Sequence, residues 1–144
     1  MSVELSRAHR PKWDQVWMEV AHIIRRRSYD PRHQVGTVII SEDNTQVLAV
    51  GYNGNYRGGP NEAASLTPGE SGMLHAEINA LLKMDYNNPK NKKLYLTLSP
   101  CRMCAKAIVN AGISEVFYSE VYRDDTSLSI LDSAKIKHKL IQLK

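Results

Sequence analysis

The chain contains two cysteines, and they stand three positions apart in the run Pro100-Cys101-Arg102-Met103-Cys104. A second short run, His75-Ala76-Glu77, lies upstream. Together the two runs constrain the fold more than any other feature. If their imidazole and thiolate donors share a metal, the intervening chain must bring two distant segments to one point. One His and two Cys make three protein ligands. A structural zinc site closes with four, whereas a catalytic site keeps three and leaves one position for water. Bound zinc lowers the pKa of that water from about 15.7 to roughly 7, so hydroxide becomes available near neutral pH. Glu77 follows His75 by two residues, which suits a carboxylate beside the metal rather than on it. The plainer readings are a redox pair or half of a structural zinc site. For Glu77 the plain reading is a first-turn helix acid, worth roughly a few tenths of a kcal/mol. A fourth structural ligand would have to come from His9, His22, His33 or His138, and none of these has motif spacing. The joint pattern favours a catalytic centre over either half taken alone.

Because both cysteines sit in the motif, a disulfide framework is not the expected source of stability. A length of 144 residues fits one domain, 1–144, with a core of its own. Hydrophobic residues at 42% and charged residues at 24% are ordinary for a globular chain. No apolar run reaches the roughly 18 residues of a membrane helix, so no membrane partner is expected. The polar start, residues 1–11, lacks the apolar centre of a signal peptide, and a cytoplasmic location is the expectation. The net charge of +4 suits an anionic partner, either a phosphorylated small molecule or a nucleic acid. Much of the excess lies in Arg25-Arg26-Arg27 and in the tail from Lys135, where a solvated basic surface is the plain alternative.

Residues 2–11 read as a mobile arm. Trp13, Val16, Trp17, Val20, Ala21, Ile23 and Ile24 then recur at helical spacing, with both tryptophans expected in the core. The cations of Arg25-Arg26-Arg27 suit the helix C-terminus, and Ser28-Tyr29-Asp30-Pro31 breaks it. Residues 35–41 and 46–51 read as a strand hairpin turned by Glu42-Asp43-Asn44. Residues 55–72 form a long loop, of the kind that is usually functional in a compact domain. A helix opens at His75, with Ile78, Ala80, Leu81 and Leu82 on its buried side, and runs to Tyr86. A strand over 93–98 leads to a helix from Cys101 that stops at Gly112. A strand over 115–119 follows, then a helix over 126–134 capped by Asp124 or Asp125. Residues 139–143 are either an edge strand or a helical tail. This order predicts an α/β fold, a sheet covered by helices, antiparallel at its first hairpin and parallel later.

Placing His75 and the cysteines at helix starts has a chemical use. Helix N-termini carry partial positive charge and free N–H donors, which help hold Cys101 and Cys104 as thiolates. Two thiolates and a neutral imidazole give a net negative site around a zinc-held hydroxide. Such a site suits a hard nucleophile attacking an amidine-like ring carbon. Glu77 is placed to take the proton of the water and return it to a ring nitrogen and to departing ammonia. Pro100 suits a helix entry. Leu98 and Ser99 end a strand beside the metal, where their backbone can meet a base edge. Arg102 is read as solvent-facing or reaching a phosphate, and Met103 as packing.

An H-x-E run followed by P-C-x-x-C is the mark of zinc nucleobase deaminases. The chain resembles, more closely, the deoxycytidylate (dCMP) deaminases of the cytidine deaminase-like superfamily. The resemblance rests on ordered matches: Arg10-Pro11 with Trp17-Met18-Glu19-Val20-Ala21; Arg27-Ser28-Tyr29-Asp30 before Gln34-Val35-Gly36-Thr37-Val38; Gly51-Tyr52-Asn53-Gly54; His75-Ala76-Glu77-Ile78-Asn79-Ala80; and Ser99 through Lys106 to Ala111-Gly112-Ile113. It spans about residues 10–134. It implies a three-layer α-β-α fold with a central mixed sheet of about five strands. It also implies Zn2+ held by His75, Cys101 and Cys104, with Glu77 as proton shuttle. Asn53 matches a position near the sugar, Arg27 and Ser28 a region near the 5′-phosphate, and Tyr122 a late aromatic position near the nucleotide. Ala76, Ser99 and Pro100 complete the implied substrate contacts. The implied reaction is deamination of dCMP to dUMP, feeding thymidylate synthesis. Implied partners are dCTP and dTTP effectors, at a site including Tyr52, Asn53 and Gly54, and a homo-oligomer, hexamer or dimer.

The chain departs from that pattern after Gly54, where Asn55-Tyr56-Arg57-Gly58-Gly59-Pro60 replaces a commoner Pro and Cys. The stretch before His75 is short and has no Cys or His for an accessory zinc. The alternatives are a deaminase of another nucleoside, nucleotide or base, a tRNA adenosine deaminase using the basic tail on phosphates, and a zinc-stabilised binding protein without turnover. Nucleic acid is the less favoured partner, because the Gly-Tyr-Asn-Gly and Ala-Gly-Ile runs resemble the nucleotide enzymes.

Overall fold

The computed structural model describes residues 9–122 and 124–144. The expected arm lies outside the described residues up to Ala8, as does Arg123 beside Tyr122. Helix α1 (Trp13–Ile24) tightens into a 3-10 turn, Arg25–Arg27, and the hairpin β1 (Gly36–Ser41) and β2 (Val47–Tyr52) follows. Then come α2 (Ala76–Lys83), β3 (Lys92–Leu96), α3 (Arg102–Asn110), β4 (Glu115–Tyr118), α4 (Thr126–Ser133) and β5 (Lys137–Leu140). The five strands form one sheet in the order β2-β1-β3-β4-β5. β1 runs antiparallel to β2 and β3, while β3, β4 and β5 are mutually parallel.

Strand alternation sorts the core into two layers. Val38, Ile40, Tyr95 and Phe117 pack with Met18 and Ala21 of α1. Ile39, Leu94, Leu96, Val116 and Tyr118 pack with Ala76, Ala80, Ala105, Ile108 and Leu131 of the other helices. Each fully buried aliphatic side chain contributes about 1.5–3 kcal/mol. Two glycines set how closely the helices approach. A Cβ at Gly36 would lie 2.1 Å from the Ala21 carbonyl oxygen, and one at Gly51 would lie 2.4 Å from that of Ala76. The second contact seats the start of α2 directly on β2.

Several expectations are corrected. Trp13 is 53% exposed, because the inward line of α1 is set by Met18 and Ala21. Trp13 stacks on Trp17 at 5.4 Å, and Trp17 donates its indole N–H to Asn44 Oδ1 at 3.2 Å. Trp17 is partly buried and packs against the core cluster as expected, so the correction concerns Trp13 alone. Helix α2 ends at Lys83, short of Tyr86, and leaves Leu82 exposed because Ala76 and Ala80 face the sheet. The tail forms edge strand β5, starting two residues before the expected segment. Residues 55–72 contain no helix or strand, as expected of the long loop.

Candidate active site

The two motif runs end up as N-caps of adjacent helices. His75 caps α2 with extended backbone (φ −70°, ψ 154°), and Cys101 caps α3 in the same way (φ −74°, ψ 172°). The Cys101 sulfur accepts the Cys104 N–H at 3.4 Å, as an N-cap acceptor does. His75 Nδ1 lies 3.2 Å from Cys104 Sγ and 3.5 Å from Cys101 Sγ. One ligand atom from each of the three residues falls within a 4.8 Å cluster. One imidazole nitrogen and two sulfurs form a donor set that fits zinc.

The protonation pattern matches a cluster built to receive a cation. Hydrogen bonds from the Cys104 thiol, from His75 and from the Cys104 amide pull Cys101 down to about 4. Cys104 moves the other way, because it supplies the proton that Cys101 accepts and because it is buried. The metal-free pair therefore shares one proton, which a bound metal displaces. The hydrogen bond with Cys101 raises His75. Glu77, in the first turn of α2, is 4% exposed, and burial pushes its carboxyl up to about 7.

These groups open on a cavity of about 300 Å³, at the small end of ligand sites. His75, Ala76, Glu77, Leu98, Ser99, Cys101 and Tyr122 form part of its lining. The rest comes from Asp30, Arg32, His33, Val35, Asn53 and the loop around Ser65, Thr67, Ser71 and Met73. Ser99 Oγ accepts the Tyr122 N–H at 2.6 Å, fixing the segment after β4 against the segment after β3. Both parallel strands thus deliver their carboxyl ends to the site, as open α/β sheets commonly do.

Asn53 joins the hairpin to the cavity wall. Its amide donates to the His33 carbonyl at 2.8 Å and to Asp30 Oδ2 at 3.3 Å, and its Oδ1 accepts the Val35 N–H at 2.8 Å. Ser28 donates its hydroxyl to the Asn53 carbonyl at 2.9 Å and accepts the Asp30 N–H at 3.2 Å. Ser28 lies behind the wall, Arg27 is exposed on the 3-10 turn, and Pro100 is buried; none of the three lines the cavity. Tyr52 gives its carbonyl to the Asn79 amide at 2.9 Å. Gly54 bridges Leu74 through two backbone bonds of 3.0 and 2.8 Å, immediately before His75.

Sequence reasoning missed Asp30, Arg32 and His33, and reached Ser65, Thr67 and Ser71 only as members of the loop 55–72 that its length marks as functional. Asp30 carried a signal of its own, as an Asp before Pro that starts a turn. Its buried carboxylate accepts the backbone N–H of Arg32 at 2.8 Å and of His33 at 3.1 Å.

The sequence profile described as the cytidine and deoxycytidylate deaminase zinc-binding region matches residues 11–120. The chain belongs to this family. Among its relatives, human deoxycytidylate deaminase is 34% identical over 122 residues, covering 78% of this chain and 68% of that protein. Deoxycytidylate deaminase of Saccharomyces cerevisiae is 39% identical over 139 residues, covering 88% of this chain and 44% of that protein. The crystal structure of dCMP deaminase from the cyanophage S-TIM5, in complex with dCMP and dUMP, aligns with a TM-score of 0.81. That alignment has 29% identity and covers 92% of this chain and 99% of that one. The cytidine deaminase-like fold, with its five-stranded mixed sheet between helices, is the one expected. Among the described residues no helix is long and apolar enough to cross a membrane.

Proposed function

We propose that this deaminase converts dCMP and water to dUMP and ammonia, supplying thymidylate synthesis. The observation that carries the reading is one cavity lined by His75, Cys101 and a buried Glu77, with Cys104 completing the ligand cluster. The named relatives and the solved dCMP deaminase support the substrate. His75, Cys101 and Cys104 hold Zn2+, which when bound supplies an activated nucleophile. Glu77 accepts the proton of the attacking water, passes it to the ring nitrogen beside the reacting carbon, and then serves the departing ammonia. Its burial beside the ligands matches that shuttle better than metal ligation. Ala76 and Ser99 flank the base, Tyr122 lies along the nucleotide, and Asn53 holds the wall that meets the sugar. Ser28 holds the Asn53 carbonyl from behind the wall, while Arg27, read with Ser28 as near the 5′-phosphate, and Pro100, read as a substrate contact, lie outside the lining.

The reading extends to residues 1–144 acting as one domain, supported by a single sheet drawn from strands between Gly36 and Leu140. It extends to a homo-oligomer, hexamer or dimer, and to dCTP and dTTP acting through Tyr52, Asn53 and Gly54. The Gly54–Leu74 bridge supports the effector route, since it ties that segment to the residue before His75. A cytoplasmic location agrees with two free cysteines that must stay reduced to bind metal. The test is a deamination panel on zinc-replete protein with dCMP, CMP, deoxycytidine, dCTP, dGMP and a tRNA anticodon stem-loop, with and without dCTP or dTTP. Preference for dCMP is expected; turnover of another member alone would overturn the substrate assignment and keep the zinc chemistry.

A further inference from the structure

We infer that His22 of α1 is a positioning residue for the substrate wall: through Ser119 and Thr97 it fixes how the chain leaves β3 and β4, and so where Ser99 and Tyr122 stand. The assignment rests on the nucleotide reading above. Leu98, Ser99 and Tyr122 line the cavity, and none of them lies in a strand or helix. Their placement therefore depends on bonds outside the sheet ladder. Two of these join the segments to each other: Ser99 donates its N–H to the Glu120 carbonyl at 2.8 Å, and its hydroxyl oxygen accepts the Tyr122 N–H at 2.6 Å. Such bonds hold one segment against the other but do not by themselves tie the pair to the helix layer behind the sheet.

His22 supplies that tie. Its Nδ1 lies 2.9 Å from the Met18 carbonyl oxygen of its own helix, which fixes the orientation of the ring. Its Nε2 lies 3.3 Å from Ser119 Oγ. Ser119 is the first residue after β4 and donates its hydroxyl to the Thr97 carbonyl at 2.8 Å. Thr97 is the first residue after β3, is buried, and is bonded twice to Gly36 at the start of β1. Its N–H donates to the Gly36 carbonyl at 3.0 Å, and its Oγ1 accepts the Gly36 N–H at 3.2 Å. Gly36 is also where α1 presses onto the sheet, against the carbonyl of Ala21, the residue before His22. The contacts thus close a ring through α1, β1 and the exits of β3 and β4. The ring passes two residues before Ser99 and three before Tyr122. Packing against the sheet asks only for an apolar side chain at position 22. The imidazole is explained by its second nitrogen, which reaches the one hydroxyl that joins the two exits.

The experiment measures dCMP kinetics and amide hydrogen exchange by NMR in zinc-loaded wild type, His22→Leu, His22→Gln, Ser119→Ala and the His22→Leu/Ser119→Ala double variant. Asp14→Ala is the control, because it removes the bond from the Tyr95 hydroxyl at the other end of α1. In His22→Leu the Ser99 and Tyr122 amides are expected to exchange faster, and KM to rise, each by roughly twofold to tenfold, the range of one hydrogen bond. Zinc content and kcat stay near wild type. His22→Gln, which keeps a nitrogen within reach of Ser119, recovers most of the loss. Ser119→Ala reproduces it, and the double variant adds nothing further, as expected of two residues acting through one contact. Asp14→Ala lowers the melting temperature and leaves KM unchanged. An equal rise of KM in Asp14→Ala would reduce His22 to a residue that only stabilises the fold. Additive losses in the double variant, or wild-type exchange and KM in His22→Leu, would overturn the assignment. A wild type that deaminates no nucleotide is a different failure, that of the deaminase reading, and the exchange of the Ser99 and Tyr122 amides then still decides whether His22 holds them.

Discussion

Asp30 and Glu77 are two buried carboxylates on the wall of one cavity, and they are held in opposite ways. Asp30 accepts two backbone N–H groups and a side-chain amide at 2.8 to 3.3 Å, so its charge organises the chain around it. Glu77 sits in the first turn of α2 beside the metal ligands, and burial lifts its carboxyl to about 7. A carboxylate with its lone pairs committed to backbone is a scaffold. A carboxylate whose ionisation is finely balanced moves protons. The contrast predicts that damage to Asp30 reads out first in stability and damage to Glu77 first in turnover.

The largest effect should follow removal of what Glu77 works beside. Cys104→Ala deletes one of three ligands and leaves a void at a residue that is 1% exposed. Metal content by elemental analysis should fall to a trace, turnover should vanish, and the melting temperature should drop with it. A metal-replete and active Cys104→Ala protein would sink the ligand assignment. Next in size, Glu77→Ala should keep zinc and lose about 10²–10⁴ in kcat, the usual share of a positioned acid–base group. Loss of zinc in that variant would make Glu77 a ligand and blur its difference from the cysteines.

Asp30→Ala tests the other side of the comparison. It strands two backbone N–H groups and one donor of Asn53, so denaturant unfolding should show a loss of about 2–3 kcal/mol. The KM for dCMP should rise because the turn that carries Arg32 and His33 into the cavity lining loses its anchor, while zinc content stays intact. Unchanged stability with a collapsed kcat would exchange the roles of Asp30 and Glu77.

The same division explains what could be read from the sequence. His75 and Cys101 were legible because each opens a helical run at its N-cap, and Cys104 because it follows Cys101 within the first turn of α3. The strands were legible because β-branched runs such as residues 37–40 must be buried on both faces of a covered sheet. The far wall was legible only as a long loop of the functional kind, not residue by residue. Arg32, Ser65 and Thr67 reach the cavity through turns and a loop whose path has no periodicity, and bonds distant in sequence fold them over it: Asp30 to the turn at Arg32, Arg32 to the Leu66 carbonyl, Ala64 to Ser71 and Gly54 to Leu74. Trp13 failed for a related reason. Helical spacing says which residues share a face, but Met18 and Ala21, fully buried against the sheet, decide how far along the helix that face stays covered.

A pH-dependent effect that vanishes toward acid pH isolates the Glu77 carboxyl from the chemistry. Its pKa in the folded, metal-free protein is raised from 4.5 to about 7 by burial. Between those values the folded chain holds a proton that the unfolded chain has released, so this group's contribution to stability falls as pH rises. It is fully present below about 4.5 and lost once pH passes about 7. At about 1.4 kcal/mol per pKa unit the rise from 4.5 to about 7 bounds the loss near 3.5 kcal/mol. Glu77→Gln removes the ionisation and keeps the shape. Metal-free Glu77→Gln should therefore melt higher than metal-free wild type at pH 8, with the gap closing toward pH 4.5. Cys101, whose lowered pKa gives the opposite pH dependence, is common to both proteins and cancels in the difference. Adding zinc should narrow the gap at pH 8, because a nearby cation favours the ionised carboxylate of the wild type. A gap that does not change with pH would mean that Glu77 is as firmly held as Asp30, and the contrast between the two carboxylates would fail.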